Sequence, residues 1–218
     1  MTVNAADWRA AAAEWWASSA WLEYERAYGD EPGTRTRLLA TATWSTRILD
    51  LTDDEATLWR GVRKSYHSLI RAAERLYTFD TGFGNGLGEV EVCHALHVAS
   101  ARRETRAAET WRLMGEWADA KHGFTVIAYH DDRQPLAFAY FIVNEDWAYY
   151  ASGAALTQSL QHAVIWTAIR ALKAEGIATL ELGWQARDGD TEKDRGISHF
   201  KAGFGGVDVP VVAVERRG

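Results

Sequence analysis

Basic side chains recur at three- and four-residue spacing from residue 60 onward: Arg60, Lys64, His67, Arg71 and Arg75. On a helix that spacing gathers them on one side, where they could meet the phosphates of a nucleic-acid end or of a nucleotide. The same spacing equally describes a solvated face beside an apolar one. Glu181 stands between Leu180 and Leu182, and a carboxylate in such an alternating run could act as a general base or be a paired carboxylate on a sheet surface. Cys93 and His97 share a helical spacing, but the chain has one cysteine, and a structural zinc site needs more. The acidic run over residues 188–194 lacks the ligand spacing of a calcium loop. It reads as a solvated loop bordering a cleft, able also to meet a cationic amine.

The chain that must position these groups has 218 residues, 47% hydrophobic and 25% charged, a composition that supports a packed core and excludes a disordered chain. A single cysteine argues against a disulfide framework and for a reducing compartment. No apolar run reaches the roughly 18 residues of a membrane helix, and no secretory leader is evident, so the expectation is a cytoplasmic protein with no membrane partner. The net charge of −6 excludes broad coating of DNA or RNA. Nucleic-acid contact would have to come from a local basic patch. Only five of the 24 basic residues are lysines (Lys64, Lys121, Lys173, Lys193 and Lys201).

Hydrophobic periodicity divides the chain into elements. Residues 1 to about 40 read as helical, with Trp8, Trp15 and Trp16 on an apolar face, and a Gly/Pro cluster over residues 29–33 interrupts them. A first strand is expected over residues 45–51, then one long helix capped by Thr52 or Asp53 and reaching Arg75, then a short strand to Asp80. A glycine-rich hinge (residues 81–88) leads into a second helical region ending near Lys121. Three β-rich runs follow at 124–129, 136–143 and 147–151, joined by turn-forming residues. A helix over 159–175, a strand over 177–182, a short helix over 197–202 and a last strand over 209–215 complete the chain.

This order resembles that of the GNAT acyltransferase fold. The resemblance implies an α/β domain over residues 45–218, with a central mixed, mostly antiparallel sheet flanked by helices and an N-terminal helical arm over residues 1–44. Two segments narrow the resemblance. Leu58-Trp-Arg-Gly-Val-Arg-Lys-Ser-Tyr-His-Ser-Leu-Ile-Arg-Ala-Ala-Glu-Arg75 resembles the arginine-rich helix of FemABX-type peptidyltransferases. Ile197-Ser-His-Phe-Lys-Ala-Gly-Phe-Gly-Gly206 is similar to a C-terminal signature of the same family. The likeness extends over about residues 45 to 215. Members of this family move an amino acid from aminoacyl-tRNA to an amine of a peptide or peptidoglycan precursor, on a GNAT fold without coenzyme A.

The resemblance implies an aminoacyltransferase whose partners are the acceptor end of aminoacyl-tRNA and a peptide or carrier-bound peptide, with no cofactor and no metal. It assigns Lys201 to the ester oxygen that gains negative charge during attack, and makes Phe200 the residue that fixes the short helix. Glu181 becomes the candidate base, and Tyr149 and Ser152, at the end of a strand where the fold splays open, become candidate substrate donors. Arg60, Lys64, His67 and Arg71 would face the donor's phosphates, although His67 stands where the family's helix usually has Arg. Acetyl-CoA-dependent GNAT enzymes carry a glycine-patterned pyrophosphate loop where this chain has Gly153 to His162, without that pattern. Bridge-forming members have two GNAT domains and this chain has room for one. That size resembles the small alanyl-tRNA-dependent transferases of uridyl-peptide antibiotic assembly, making alanine the expected amino acid. An acetyl-CoA or acyl-carrier-dependent N-acyltransferase and a noncatalytic binding module are the competing readings.

Overall fold

The computed structural model describes residues 37–83, 87–131, 133–157, 159–187 and 189–217. The expected Trp-rich helices over residues 1–36 and the centre of the glycine-rich hinge lie outside the described residues. Strands are β1 (Arg37–Asp50), β2 (Thr78–Phe83), β3 (Gly123–Tyr129), β4 (Pro135–Asn144), β5 (Trp147–Ala155), β6 (Thr179–Gln185) and β7 (Val207–Arg217). Helices are α1 (Glu55–Gly61), α2 (Lys64–Leu76), α3 (Leu87–Ala101), α4 (Ala108–Asp119), α5 (Leu160–Ala174) and α6 (Glu192–Ala202). The strands form one seven-stranded mixed sheet, ordered β2-β3-β4-β5-β6-β1-β7, in which only β5 and β6 run parallel. This is the α/β architecture that the element order implied.

The central strands are buried on both faces, so they read as continuous apolar runs instead of alternating ones. Phe124, Val126 and Ala128 of β3, with Ala137, Ala139, Phe141 and Val143 of β4, pack with α2 and α5. Their strand neighbours Ile127, Phe138 and Tyr140 point the other way, against Val90, Cys93 and Leu96 of α3 and Trp111, Met114 and Ala118 of α4. Cys93 is thus a core side chain whose thiol pKa is pushed far up, chiefly by burial. It supplies no thiolate.

Three elements differ from the sequence expectation. The first strand begins at Arg37, ahead of the boundary placed at residue 45, because residues 37–48 pair with β7 along nearly its whole length. The acidic run does not stay a loop: Thr191 and Asp194 form a capping box that starts α6 well before Ile197. The long helix expected to reach Arg75 is two helices. Asp54 caps α1 through the Thr57 amide, then Val62 (ψ 134°) and Arg63 (ψ 131°) are extended, and α2 restarts at Lys64.

Candidate functional site

β5 and β6 pair only at Trp147 with Thr179, Ala148 with Leu180 and Tyr149 with Glu181. Beyond that level each strand follows its outer neighbour, β5 along β4 to Ala155 and β6 along β1 to Gln185. Two register shifts sit where they part: β4 and β5 slip between Tyr140 and Phe141, β1 and β6 between Arg47 and Ile48. Bulges bend and twist the strands that carry them, so this pair opens the sheet into a cleft. Gly183, just past the second shift, has a φ of +83°, a left-handed conformation that glycine adopts without a Cβ penalty.

Gly183 is also where the site converges. A Cβ there would meet Tyr149 Cε2 at 3.2 Å, the Tyr149 hydroxyl at 3.5 Å and Lys201 Nζ at 3.6 Å. Lys201 reaches in from the last turn of α6, and its Nζ donates to the Trp184 carbonyl at 3.1 Å. Glu181 lies half-buried beside Tyr149, its Oε1 accepting from the Thr46 hydroxyl at 2.6 Å. Burial pulls the Lys201 pKa below the ordinary lysine value, and the Glu181 carboxylate opposes that pull. The Tyr149 phenol is shifted up by burial and by Glu181, so it remains a protonated donor at neutral pH. An ammonium, a phenol and a carboxylate therefore share one opening, a set able to stabilise an oxyanion and accept a proton.

The placement of Lys201 depends on the break between α1 and α2. The Arg63 amide donates to the Gly203 carbonyl at 2.7 Å, and its guanidinium meets the His199 carbonyl at 3.1 Å and the His199 ring nitrogen at 2.6 Å. Tyr66 donates its hydroxyl to the Phe200 carbonyl at 3.3 Å. The Tyr66 ring occupies the space a Cβ on Gly203 would need, with Cε2 at 2.1 Å. Phe200 packs among His162, Phe204 and Tyr66, at ring separations of 5.1, 5.2 and 6.2 Å. The helix motif and the C-terminal signature are thus two sides of one interface. Arg47 secures the turn after α6 by a double hydrogen bond to Asp208 and bonds to the Gly205 and Gly206 carbonyls.

The expected basic stripe is not one face of one helix. Arg60 lies on α1, where its guanidinium meets the Thr57 hydroxyl at 2.8 Å. Lys64 opens α2 and is exposed, while the exposed Arg71 lies over the Trp59 ring at 5.4 Å. His67 points elsewhere. Its ring stacks on Trp59 at 4.0 Å and its Nε2 faces two carbonyls, Trp59 at 3.1 Å and Val62 at 3.0 Å. With both partners acceptors, that nitrogen carries the proton, and the side chain closes the end of α1.

Ser152 follows the bulge in β5, is 5% exposed, and its hydroxyl has no hydrogen-bond partner. Two further residues of the cleft escape sequence reasoning. Thr46 comes from within β1, between β6 and β7, and Arg106 comes from the connection between α3 and α4, where it donates to the Ala151 carbonyl at 2.8 Å. Arg106 belongs to no motif or periodic run, and Thr46 is one hydroxyl within the expected first strand, so no spacing marked either as a site residue.

A family model described as an acetyltransferase (GNAT) domain matches residues 60–201, well over half of the chain. The protein therefore belongs to the GNAT family, whose acyltransferase fold carries the cleft just described. Among solved structures, FemX matches with a TM-score of 0.65 at 14% identity, over 88% of this chain and 66% of that one. The C-terminal domain (DUF2156) of a candidate lysylphosphatidylglycerol synthetase from Agrobacterium fabrum matches with a TM-score of 0.57 at 17% identity, over 83% of this chain and 62% of that one. L-PGS from Bacillus licheniformis matches with a TM-score of 0.57 at 12% identity, with the same coverage of 83% and 62%. The chain thus spans less than two thirds of the length of these structures. No curated protein matches it. Among the described residues, no helix is long and apolar enough to cross a membrane.

Proposed function

We propose that this protein transfers an aminoacyl group from aminoacyl-tRNA to the amine of a peptide or peptidyl-nucleoside, forming a peptide bond in the assembly of a peptide antibiotic, with alanine as the amino acid. The observation that carries this reading is Lys201 Nζ held at the mouth of the β5–β6 cleft, beside Tyr149 and Glu181. The acceptor nitrogen attacks the ester carbonyl carbon, forming the C–N bond. Lys201 and the Tyr149 hydroxyl stabilise the oxygen that becomes negative. Glu181 takes the amine proton. Collapse breaks the ester C–O bond, and that proton passes to the departing ribose oxygen. Arg60, Lys64 and Arg71 supply exposed cations for the phosphates of the donor's acceptor end.

The choice of donor is supported at the start of α5, where amides bind pyrophosphate in coenzyme A-dependent relatives. Here the Leu160 and His162 amides already donate to the Thr157 and Ser159 carbonyls, each at 3.2 Å. Gln161 is turned into the sheet, donating to the Phe138 carbonyl at 3.1 Å. The FemX fold likeness agrees with the sequence motifs. The family description, an acetyltransferase domain, favours acyl-coenzyme A as the second reading.

Incubating the protein with alanyl-tRNA and a panel of peptide amines should discharge the tRNA in an acceptor-dependent way and yield a new amide, and RNase pretreatment should abolish the product. Failure of every aminoacyl-tRNA tested, together with a thermal shift on adding acetyl-coenzyme A, would replace this reading with the second.

A further inference from the structure

Arg106 is half-buried, and one of its nitrogens is spent on the Ala151 carbonyl at 2.8 Å. Its guanidinium also lies 5.9 Å from the Trp111 ring centroid. Among the described residues no carboxylate pairs with it. Glu104, two residues away, is engaged by His94 at 3.0 Å, and Glu109 is engaged by Arg112. A guanidinium withdrawn from water without a counter-ion is costly unless an anion completes it.

Two more buried groups without partners belong to Trp111 and to the residue that follows Ala151. Ser152 is the residue after Ala151, and its buried hydroxyl is unpartnered. Trp111 is 5% exposed, and its indole N–H, which can only donate, is also buried without a partner. Buried polar groups are nearly always satisfied, so each such orphan calls for an explanation. Here Arg106 lacks a counter-ion, and the Ser152 hydroxyl and the Trp111 indole N–H lack any partner. The planar fork of an arginine suits a carboxylate.

The location says which carboxylate. Arg106 is tied to Ala151, two residues along β5 from Tyr149, so an anion held by Arg106 lies on the strand that lines the cleft. We propose that Arg106 and Ser152 form a carboxylate subsite for the acceptor, which is therefore an amino acid or short peptide with a free carboxylate. A carboxyl tied up as an amide or a carrier thioester does not satisfy this subsite. This rests on the aminoacyl-transfer reading for the role of the ligand, though not for its binding.

The test is calorimetric and needs no donor. Alanyl-alanine and its C-terminal amide are titrated into the wild-type protein and into Arg106→Gln and Ser152→Ala variants, with thermal unfolding to establish that each variant is folded. Wild type should bind the acid at least about tenfold more tightly than the amide. Arg106→Gln should reduce that preference to within about threefold, and Ser152→Ala, which keeps the charge, should reduce it in part. Equal binding of acid and amide by wild type, no measurable binding of either, or an undiminished preference in folded Arg106→Gln overturns the proposal. If Arg106→Gln does not fold, an undiminished preference in Ser152→Ala overturns it. Acid-selective binding without transfer from any aminoacyl-tRNA sinks the donor assignment and leaves this subsite standing.

Discussion

At the scale of single residues, the site is an ammonium, a phenol and a carboxylate around one bare glycine. In the proposed transfer Lys201 stabilises the oxyanion, so Lys201→Ala should lower kcat at least about tenfold with the fold intact, measured as acceptor-dependent discharge of aminoacyl-tRNA. Burial favours the neutral amine, which places the Lys201 pKa below the ordinary value of 10.5. The sign follows directly: the rate is full while the amine is protonated and falls as pH rises through that lowered pKa. The basic limb of kcat should therefore lie below an ordinary lysine's, and Lys201→Arg should remove it from the accessible range. An unchanged limb in that variant would assign the titration to another group. The sequence pointed to Lys201 and Glu181 because a motif and a strand alternation framed them. It put His67 on one face with Arg60, because three- and four-residue spacing continues unbroken across residues 62 and 63, where the helix does not.

The break between α1 and α2 is the element that most affects the site. Gly61 is the one local mark of it in the sequence, and a lone glycine inside a helical pattern is weak evidence of a boundary. Its cause is tertiary: the extended Arg63 gives its amide to Gly203 across a sequence separation no periodicity can register. His67 closes the end of α1 through the Trp59 and Val62 carbonyls. His67→Ala should thus cost about 1–3 kcal/mol in urea unfolding by stranding both acceptors. Stability unchanged within about 0.5 kcal/mol would mean water replaces the ring at no cost. Gly203→Ala should be worse. Its Cβ would lie 2.1 Å from Tyr66 Cε2, so the interface behind Lys201 must shift, at roughly 1–3 kcal/mol or more. It should also lower transfer activity, although residue 203 is not one of the three groups around Gly183.

At the scale of the whole molecule, the order of elements was readable because buried strands, turns and helices follow one another with clear changes of period. The cleft was not, because it arises from two register shifts on strand pairs far apart in sequence. The net charge of −6 disfavours broad contact with RNA, so binding must depend on few contacts. If Arg60, Lys64 and Arg71 meet phosphates of a single-stranded acceptor end, the slope of log affinity against log salt should be about −2. Lys64→Ala should flatten it by about 0.7. A wild-type slope near zero would show that these cations do not touch the donor.

β1 lies between β6 and β7, so the earliest described strand pairs only with the last two. During synthesis β1 must wait, both edges open, while β2 to β5 can assemble their local hairpins. The half of the sheet carrying Glu181 and Gly183 closes late, and the Arg47–Asp208 fastening beside the Lys201 turn forms only once β7 has emerged. Time of assembly and place of the cleft thus coincide: the strands that frame it meet only after the local hairpins have formed.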